Sequence, residues 1–250
     1  MKMNFKDLVT MYEKYKEKYG NKAYRHISEL LIEAKEHHKK DWENHPTKKG
    51  DHEQSWRAFK GKNLQKLILS IIKSSVEELG LKAVDGDKIE RTRNLTFELD
   101  KVKRNLLINY GEYGCHLPDV DIVIYDPKSL NVICVISSKV TLRERIAQTG
   151  YWKLKLLQSE VTKHIKVYFV TPDEDGTLTR RKPALKGRAI VETDLDGSYV
   201  LTEEEIEESE KVKLFEHFID DLAYLLKNDV KIKERMHEKP SDTLNNWTKK

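Results

Sequence analysis

The stretch Leu117–Val140 reads LPDVDIVIYDPKSLNVICVISSKV. Two short apolar, β-branched runs, 120–125 and 132–137, flank the turn-forming segment DPKSLN, which predicts a β-hairpin. Acids open the first run and a lysine closes the second. Side chains alternate between the faces of a strand, so Asp119, Asp121 and Val123 share one face of the first run, and Ser137 and Lys139 share one face of the second. A hairpin turning near Lys128–Ser129 sets residues 119–121 opposite residues 136–139. At its open end one or both aspartates, Ser137 and Lys139 converge.

Downstream, residues 141–160 (TLRERIAQTGYWKLKLLQSE) predict a helix with Leu142, Ile146, Leu154 and Leu157 inward and Gly150 as a weak point. The apolar run 165–172 predicts another strand. Strand, helix and strand over this length make a crossover that pairs the outer strands in parallel. Upstream, residues 63–79 predict a helix whose wide apolar face (Leu64, Leu67, Ile68, Ile71, Ile72, Leu79) marks it as buried, with Gly80 placed to end it. Residues 90–110 read either as a helix over ELDKVKRNLLINYG or as a strand over LTFEL. Residues 4–46 show helical spacing, and the polar segment 45–52 reads as a linker. Residues 189–202 suggest a hairpin around Asp196–Gly197, and 203–228 a helix with Phe215, Phe218, Ile219, Leu222 and Leu226 on one side. The last twenty residues are polar. The class is α/β (α+β), a central mixed sheet flanked by helices. The expected division is an N-terminal helical extension (1–55), a core (56–202) and a C-terminal helix and tail (203–250) in one compact unit.

The 250 residues are 38% hydrophobic and 35% charged, which allows one sizeable core under a heavily solvated surface. No apolar run approaches the roughly 20 residues of a membrane span, and the N-terminal residues have no signal-peptide core. Two cysteines, Cys115 and Cys134, point to reduced thiols in a cytoplasmic protein. The nine histidines show no ligand spacing, and His37–His38 sits in a charged, solvated helix. A net charge of +4 is too small to establish a nucleic-acid partner by itself; clustering of the charge matters more.

Carboxylates at the end of the hairpin suit a hard cation such as Mg2+, which takes oxygen ligands and keeps several waters. Backbone carbonyls at Ile136 or Ser138 can add ligands, and Lys139 can orient or deprotonate water or neutralise a phosphate oxygen. Such a set suits phosphodiester hydrolysis. Asp and Lys at strand ends also serve as turn formers and edge blockers, so spacing alone leaves both readings standing. TPDEDG (171–176) ends a strand in a similar pattern and reads as a turn.

LPDVDIVIYD, then VICVISSK, then VTLRERIAQTGYWKLKL resembles the PD-(D/E)XK nuclease superfamily, type II restriction endonucleases in particular. The close resemblance covers roughly residues 117–157 and the looser one 56–172, where an αβββαβ core is implied. The resemblance makes Asp121 or Asp119 the metal-binding aspartate and Lys139 the motif lysine. Ser137 stands where a second carboxylate usually stands, as in Ser-x-Lys variants. Some such relatives supply the missing acid from the following helix, but TGYWK here offers Trp152. The first helix holds Gln65 where a glutamate is often found. Glu144, or the pair Asp119 and Asp121, is left to complete the metal site.

On the following helix Arg145, Gln148 and Trp152 share a face, while Arg143 lies roughly 200° from Arg145. The resemblance favours a phosphate or active-site role for Arg145 and Gln148, with Arg143 on DNA; an Arg–Glu laced solvent face is the competing reading. Arg180, Arg181, Lys182, Lys186 and Arg188 crowd a turn-rich segment suited to phosphates and guanine edges, or to plain solvation. The implied enzyme is a Mg2+-dependent type II site-specific deoxyribonuclease acting on double-stranded DNA as a homodimer. The alternatives are a repair or recombination nuclease of the superfamily and an inactive DNA-binding relative.

Overall fold

A computed structural model of the chain describes residues 3–44, 50–140 and 143–237, without the side chains of Arg143, Glu144 and residues 229–237. Its centre is a six-stranded sheet in the order β1 (Lys82–Asp85), β4 (Ile122–Tyr125), β5 (Val132–Ser138), β6 (Lys166–Thr171), β7 (Gly197–Val200), β8 (Val212–Leu214). The first three pair antiparallel and the remaining pairs are parallel. The short strands β2 (Ile108–Asn109) and β3 (Cys115–His116) form a separate ribbon. The hairpin falls where the sequence puts it, with Ile122 opposite Ile136 and Val123 opposite Val135. Asp126 holds its turn by accepting from Lys128 N and Ser129 N at 2.9 and 3.3 Å. The crossover through α6 (Arg143–Leu156) makes β5 and β6 parallel as expected.

The alternation of strand side chains divides the core into two layers. Ile122, Ile124, Cys134 and Ile136 face the layer built with α1 (Phe5–Tyr19), α2 (Ile27–Glu43), α3 (His52–Glu78) and α8 (Phe218–His237). Val123, Tyr125 and Val135 face the layer built with α4 (Gly86–Arg91), α5 (Phe97–Arg104), α6 and α7 (Lys186–Asp194). Each fully buried Val or Ile stabilises by roughly 1.5–3 kcal/mol relative to exposure; β4 and β5 carry isoleucines on the first face and valines on the second.

The ambiguous segment 90–110 contains a helix because Thr96 caps it. Its hydroxyl accepts from Leu99 N at 3.4 Å, Glu98 and Asp100 occupy the first turn, and Lys101, Lys103 and Arg104 the last, matching the helix dipole. The buried helix starts at His52 rather than 63, since Asp51 caps it by accepting from Glu53 N at 3.2 Å.

Four local expectations are corrected. Residues 189–202 are not a hairpin: Lys186–Asp194 is helical and Gly197–Val200 pairs in parallel with β6. Gly187, Arg188 and Val191 face inward at helical spacing, so packing overrides the strand preference of Ile190 and Val191. The C-terminal helix begins at Phe218, preceded by β8, rather than at 203. Glu203, Glu204, Glu205, Glu207 and Glu208 would repel at i, i+3 and i+4 in a helix, and the Ser209 hydroxyl instead turns the chain by accepting from Val212 N at 2.9 Å. His38 is not solvated but 3% exposed, with Nδ1 3.2 Å from His52 Nε2 and its ring edge-on to Trp56. Along α6 the inward residues are Ile146, Trp152 and Leu156, while Leu154 and Leu157 point to water; Leu142 lies outside the described residues. That rotation is set by Lys153, whose buried ammonium bridges Asp196 at 2.6 Å and the Ile165 carbonyl at 3.1 Å.

Candidate active site

The open end of the hairpin brings together the groups the sequence places there. Asp121 N donates to Ile136 O at 3.0 Å, which continues the antiparallel register and sets Asp121 opposite Ser137. The Asp121 carboxylate is buried. Its Oδ2 accepts from Ser138 N at 2.6 Å, and Lys139 Nζ donates to Oδ1 at 3.1 Å and Oδ2 at 3.0 Å. Burial pushes the Asp121 carboxyl above its ordinary range and the nearby Asp119 charge adds to that push; the Lys139 charge and the Ser138 N–H oppose it.

Asp119 is exposed and lies before the first strand, not on it. Its Oδ2 accepts from Gln148 Nε2 of α6 at 3.2 Å, which ties the approach to the hairpin onto the crossover helix. Arg145, one turn earlier on α6, is exposed. Ser137 is buried beside Asp121, and Ser138 points its hydroxyl to the opposite face of the sheet, where the buried oxygen has no hydrogen-bond partner among the described residues. The side chains of Glu144 and Arg143 lie outside the described residues. Gln65 is buried in α3.

Some residues that shape this corner carry no motif. Gly86 N donates to Asp121 O at 2.9 Å, and a Cβ at Gly86 would run into the Val120 carbonyl. The turn from β1 into α4 is thus pressed against the backbone that carries Asp121, a close approach that needs glycine. The pair Asp85–Gly86, with Asp85 Oδ1 accepting from Asp87 N at 2.9 Å, is the sequence signal for that turn. The Ser138 N–H has no signal at all, since any residue except proline supplies one.

Beside the site, Glu174 N reaches Val140 O at 3.4 Å and the Glu174 carboxylate pairs with Lys60 of α3 at 3.0 Å. Asp173, in the segment read as a turn, is buried with φ +53° and accepts from Thr177 N and Leu178 N at 3.0 and 2.8 Å. Burial, more than the neighbouring Asp175, pushes its carboxyl from 3.8 up to about 7. The folded chain therefore holds this proton more tightly than the unfolded chain between about pH 4 and 7, so its contribution is full below that window and lost as pH rises through 7. We expect stability to fall by about 2 kcal/mol from this group between pH 5 and 8, with solvent at the loop edge screening the rest. Asp173→Asn is expected to flatten that slope in urea denaturation followed across pH; an unchanged slope refutes the assignment.

Arg180, Arg181, Lys182 and Lys186 are exposed and make no side-chain ion pair among the described residues. Arg188 is corrected. It is fully buried, with Nε on Glu192 Oε1 at 2.8 Å, Nη2 on Glu207 O at 2.7 Å and Nη1 on the Leu178 carbonyl. Its guanidinium is spent inside the protein and cannot reach DNA.

A buried carboxylate under a lysine, with exposed carboxylate and amide beside it and a basic loop near, suits an oxygen-seeking cation and an anionic phosphodiester. Comparisons with known proteins identify the family. The family model of the BsaWI restriction endonuclease type 2 matches residues 98–221. A putative type II restriction enzyme of Methanocaldococcus jannaschii, MjaVIP, is 44% identical over 179 residues, 70% of this chain and 78% of that protein. A probable type II restriction enzyme of Helicobacter pylori, HpyAORF263P, is 40% identical over 119 residues, 48% of this chain and 61% of that protein. The solved structure of the specific AgeI–DNA complex shares the fold at a TM-score of 0.52 with 14% identity, over 88% of this chain and 91% of that one. With its hairpin, crossover helix and mixed sheet in this arrangement and a relative this similar over most of its length, the chain belongs to the type II restriction endonucleases of the PD-(D/E)XK superfamily.

Proposed function

We propose that the chain hydrolyses phosphodiester bonds of double-stranded DNA at a short specific sequence, with Mg2+ as cofactor and Asp121 and Lys139 at the centre of the site. The observation that carries this reading is the geometry of Asp121: a buried carboxylate, raised by burial and spanned by one lysine, at the mouth of the hairpin. Its neighbours offer oxygen donors, which fits a hard cation. Asp121 would hold the ion, with Asp119 as a second ligand and Glu144 as a further candidate from the sequence. When bound, the ion would neutralise charge developing on the phosphoryl oxygens and acidify a water.

The chain's own residues have distinct tasks in this scheme. Lys139, part-exposed, can swing its ammonium from Asp121 to a non-bridging phosphate oxygen or to the attacking water. Ser138 N–H keeps Asp121 ionised and oriented when Lys139 turns to the substrate. Ser137 lines the site as a neutral neighbour of Asp121. Gln148 positions Asp119, and Arg145, exposed on the same helix, would pair with a phosphate. Arg143 from α6, and Arg180, Arg181, Lys182 and Lys186 from the loop before α7, would hold flanking phosphates and base edges. One chain has one such site, so cutting both strands of a two-fold sequence calls for a homodimer. The reading places the enzyme in the cytoplasm, and no described helix is long and apolar enough to cross a membrane.

Digestion of a sequenced plasmid with Mg2+, followed by mapping of the ends, tests this function. Discrete fragments with a common end sequence are expected. Random nicks or branch-dependent cuts would instead indicate a repair or recombination nuclease. Binding without cleavage at any Mg2+ or Mn2+ concentration would indicate an inactive relative.

A further inference from the structure

Two neighbouring residues at the end of the 3-10 turn between α1 and α2 (Gly20–His26) reach across to the acidic segments on either side of β8. Arg25 Nη2 pairs with Glu216 Oε2 at 2.7 Å, one cation on one acid. His26 faces two acids with one atom. Its Nδ1 lies 2.9 Å from Glu203 Oε1 and 3.2 Å from Glu29 Oε2. Among the described residues these three form the one group of histidine and acid ligand atoms that all lie within 4.8 Å of one another. The imidazole side chain is nine-tenths buried and stacks on Tyr19, with centroids 3.4 Å apart and planes at 16°, which fixes the ring. The two carboxylates are half-exposed. A ring nitrogen carries at most one hydrogen, so Nδ1 can donate fully to one acid and leaves the other beside it. No lysine or arginine among the described residues pairs with Glu29 or Glu203. Lys18, whose ammonium feels both charges, stands instead over the Tyr19 ring at 4.5 Å.

We propose that His26, Glu29 and Glu203 hold a divalent transition-metal ion of the Zn2+ class, which staples the N-terminal helices to the sheet. Zn2+ takes imidazole nitrogen at about 2.0–2.1 Å and carboxylate oxygen at about 2.0–2.2 Å, so neighbouring ligand atoms on one ion stand roughly 2.9–3.5 Å apart. The separations from Nδ1 to the two oxygens, 2.9 and 3.2 Å, already have that spacing. Small rotations of two half-exposed carboxylates admit the ion, and water fills its remaining positions. The nitrogen ligand decides the class of ion. Mg2+ and Ca2+ take oxygen, whereas imidazole together with carboxylates suits Zn2+ and its neighbours. Charge balances as well, because a neutral imidazole and two carboxylates offer two negative charges to a dication. Glu29 is three residues from His26 on α2, while Glu203 comes from the segment between β7 and β8. The ion therefore joins parts of the chain far apart in sequence, beside the Arg25–Glu216 pair that joins the same two regions. The site shares no residue with Asp121 and Lys139, and the inference stands whether or not that pair cuts DNA.

Calorimetric titration of the full chain with Zn2+ at neutral pH is the test, with Asp121→Asn as the parent and Mg2+ in excess so that the proposed cutting site does not compete. One Zn2+ per chain is expected, with a dissociation constant in the micromolar range. The melting temperature is expected to rise by roughly 5 °C when Zn2+ stands about a hundred-fold above that constant. Glu203→Gln and Glu29→Gln, at half-exposed positions that leave the fold intact, are each expected to weaken Zn2+ by at least the roughly 10-fold that loss of an outer-shell partner costs. His26→Gln is expected to abolish binding. In the chain with Asp121 restored, Glu203→Gln and Glu29→Gln are expected to leave Mg2+-dependent cleavage as it is in the wild type. Zn2+ that fails to bind the parent, or that binds any of the three variants as tightly as the parent, overturns the site. So does a melting temperature that responds to pH through the ordinary range of histidine but not to Zn2+, which would leave a histidinium alone holding both acids.

Discussion

Lys139→Ala is expected to lower cleavage of duplex DNA by about 10³-fold while leaving the fold intact, because it removes both a charge from the phosphate and the partner of a buried carboxylate. The two effects separate with pH. Lys139 Nζ touches both oxygens of Asp121, and burial already pushes that carboxyl upward. Without the lysine, the Ser138 N–H is the remaining contact that favours the ionised form. Asp121 in the variant should therefore ionise at higher pH than in the wild type, and residual cleavage should rise more steeply with pH. Lys139→Arg keeps the charge near Asp121 but spreads it over a planar fork, and is expected to recover only part of the rate. Single-turnover cleavage across pH measures both. A Lys139→Ala enzyme that cuts at the wild-type rate would remove Lys139 from the site.

The largest effect on stability is expected at Arg188. The residue is fully buried, and its guanidinium satisfies Glu192, the Leu178 carbonyl and the Glu207 carbonyl at once. These partners come from α7, from the loop after β6 and from the acidic segment before β8, so one side chain ties three segments to the sheet edge. Arg188→Ala deletes the buried cation, leaves two carbonyls without their donor, and leaves part-exposed Glu192 with the Ser209 hydroxyl alone. We expect a loss of about 3–5 kcal/mol in urea denaturation. Arg188→Lys, which keeps the charge but cannot reach three acceptors in a plane, should recover less than half of that. Arg180→Ala and Lys182→Ala, exposed on the same loop, should stay within about 0.5 kcal/mol of the wild type. A loss at Arg188 below about 1 kcal/mol would mean that the buried network does not form.

The contrast between Arg188 and its neighbours shows what a charge pattern in one dimension conceals. The run from Arg180 to Arg188 reads as one basic patch, yet helical spacing in α7 turns Arg188 inward with Gly187 and Val191. The hairpin was legible because two apolar, β-branched runs and the turn residues Asp126–Pro127 between them agree over Leu117–Val140, and strand geometry then dictates which side chains meet. The face of α6 was not legible, because Leu154 and Leu157 are as apolar as Ile146 and Leu156. The buried Lys153–Asp196 contact that sets the rotation joins residues on separate elements. The strand at 212–214 escaped for a similar reason: three residues are too short for a period, and the parallel partner that holds them lies elsewhere in the chain. At the site, the acids and the lysine were visible as residue types. The backbone that orients Asp121, from Ser138 and Gly86, was not.

The central claim is that Asp121 and Lys139 form the cutting site. Its most direct test is the cleavage rate of one mapped duplex by the wild type and by Asp121→Asn across a Mg2+ titration. Asparagine keeps the shape and can still accept from the Ser138 N–H, but it lacks the charge that pairs with Lys139 and would hold a cation. The account predicts wild-type cleavage that saturates with Mg2+ and a variant slower by about 10³-fold or more at every Mg2+ concentration, with the DNA still bound. An Asp121→Asn enzyme that cuts the same bond at the wild-type rate would contradict it.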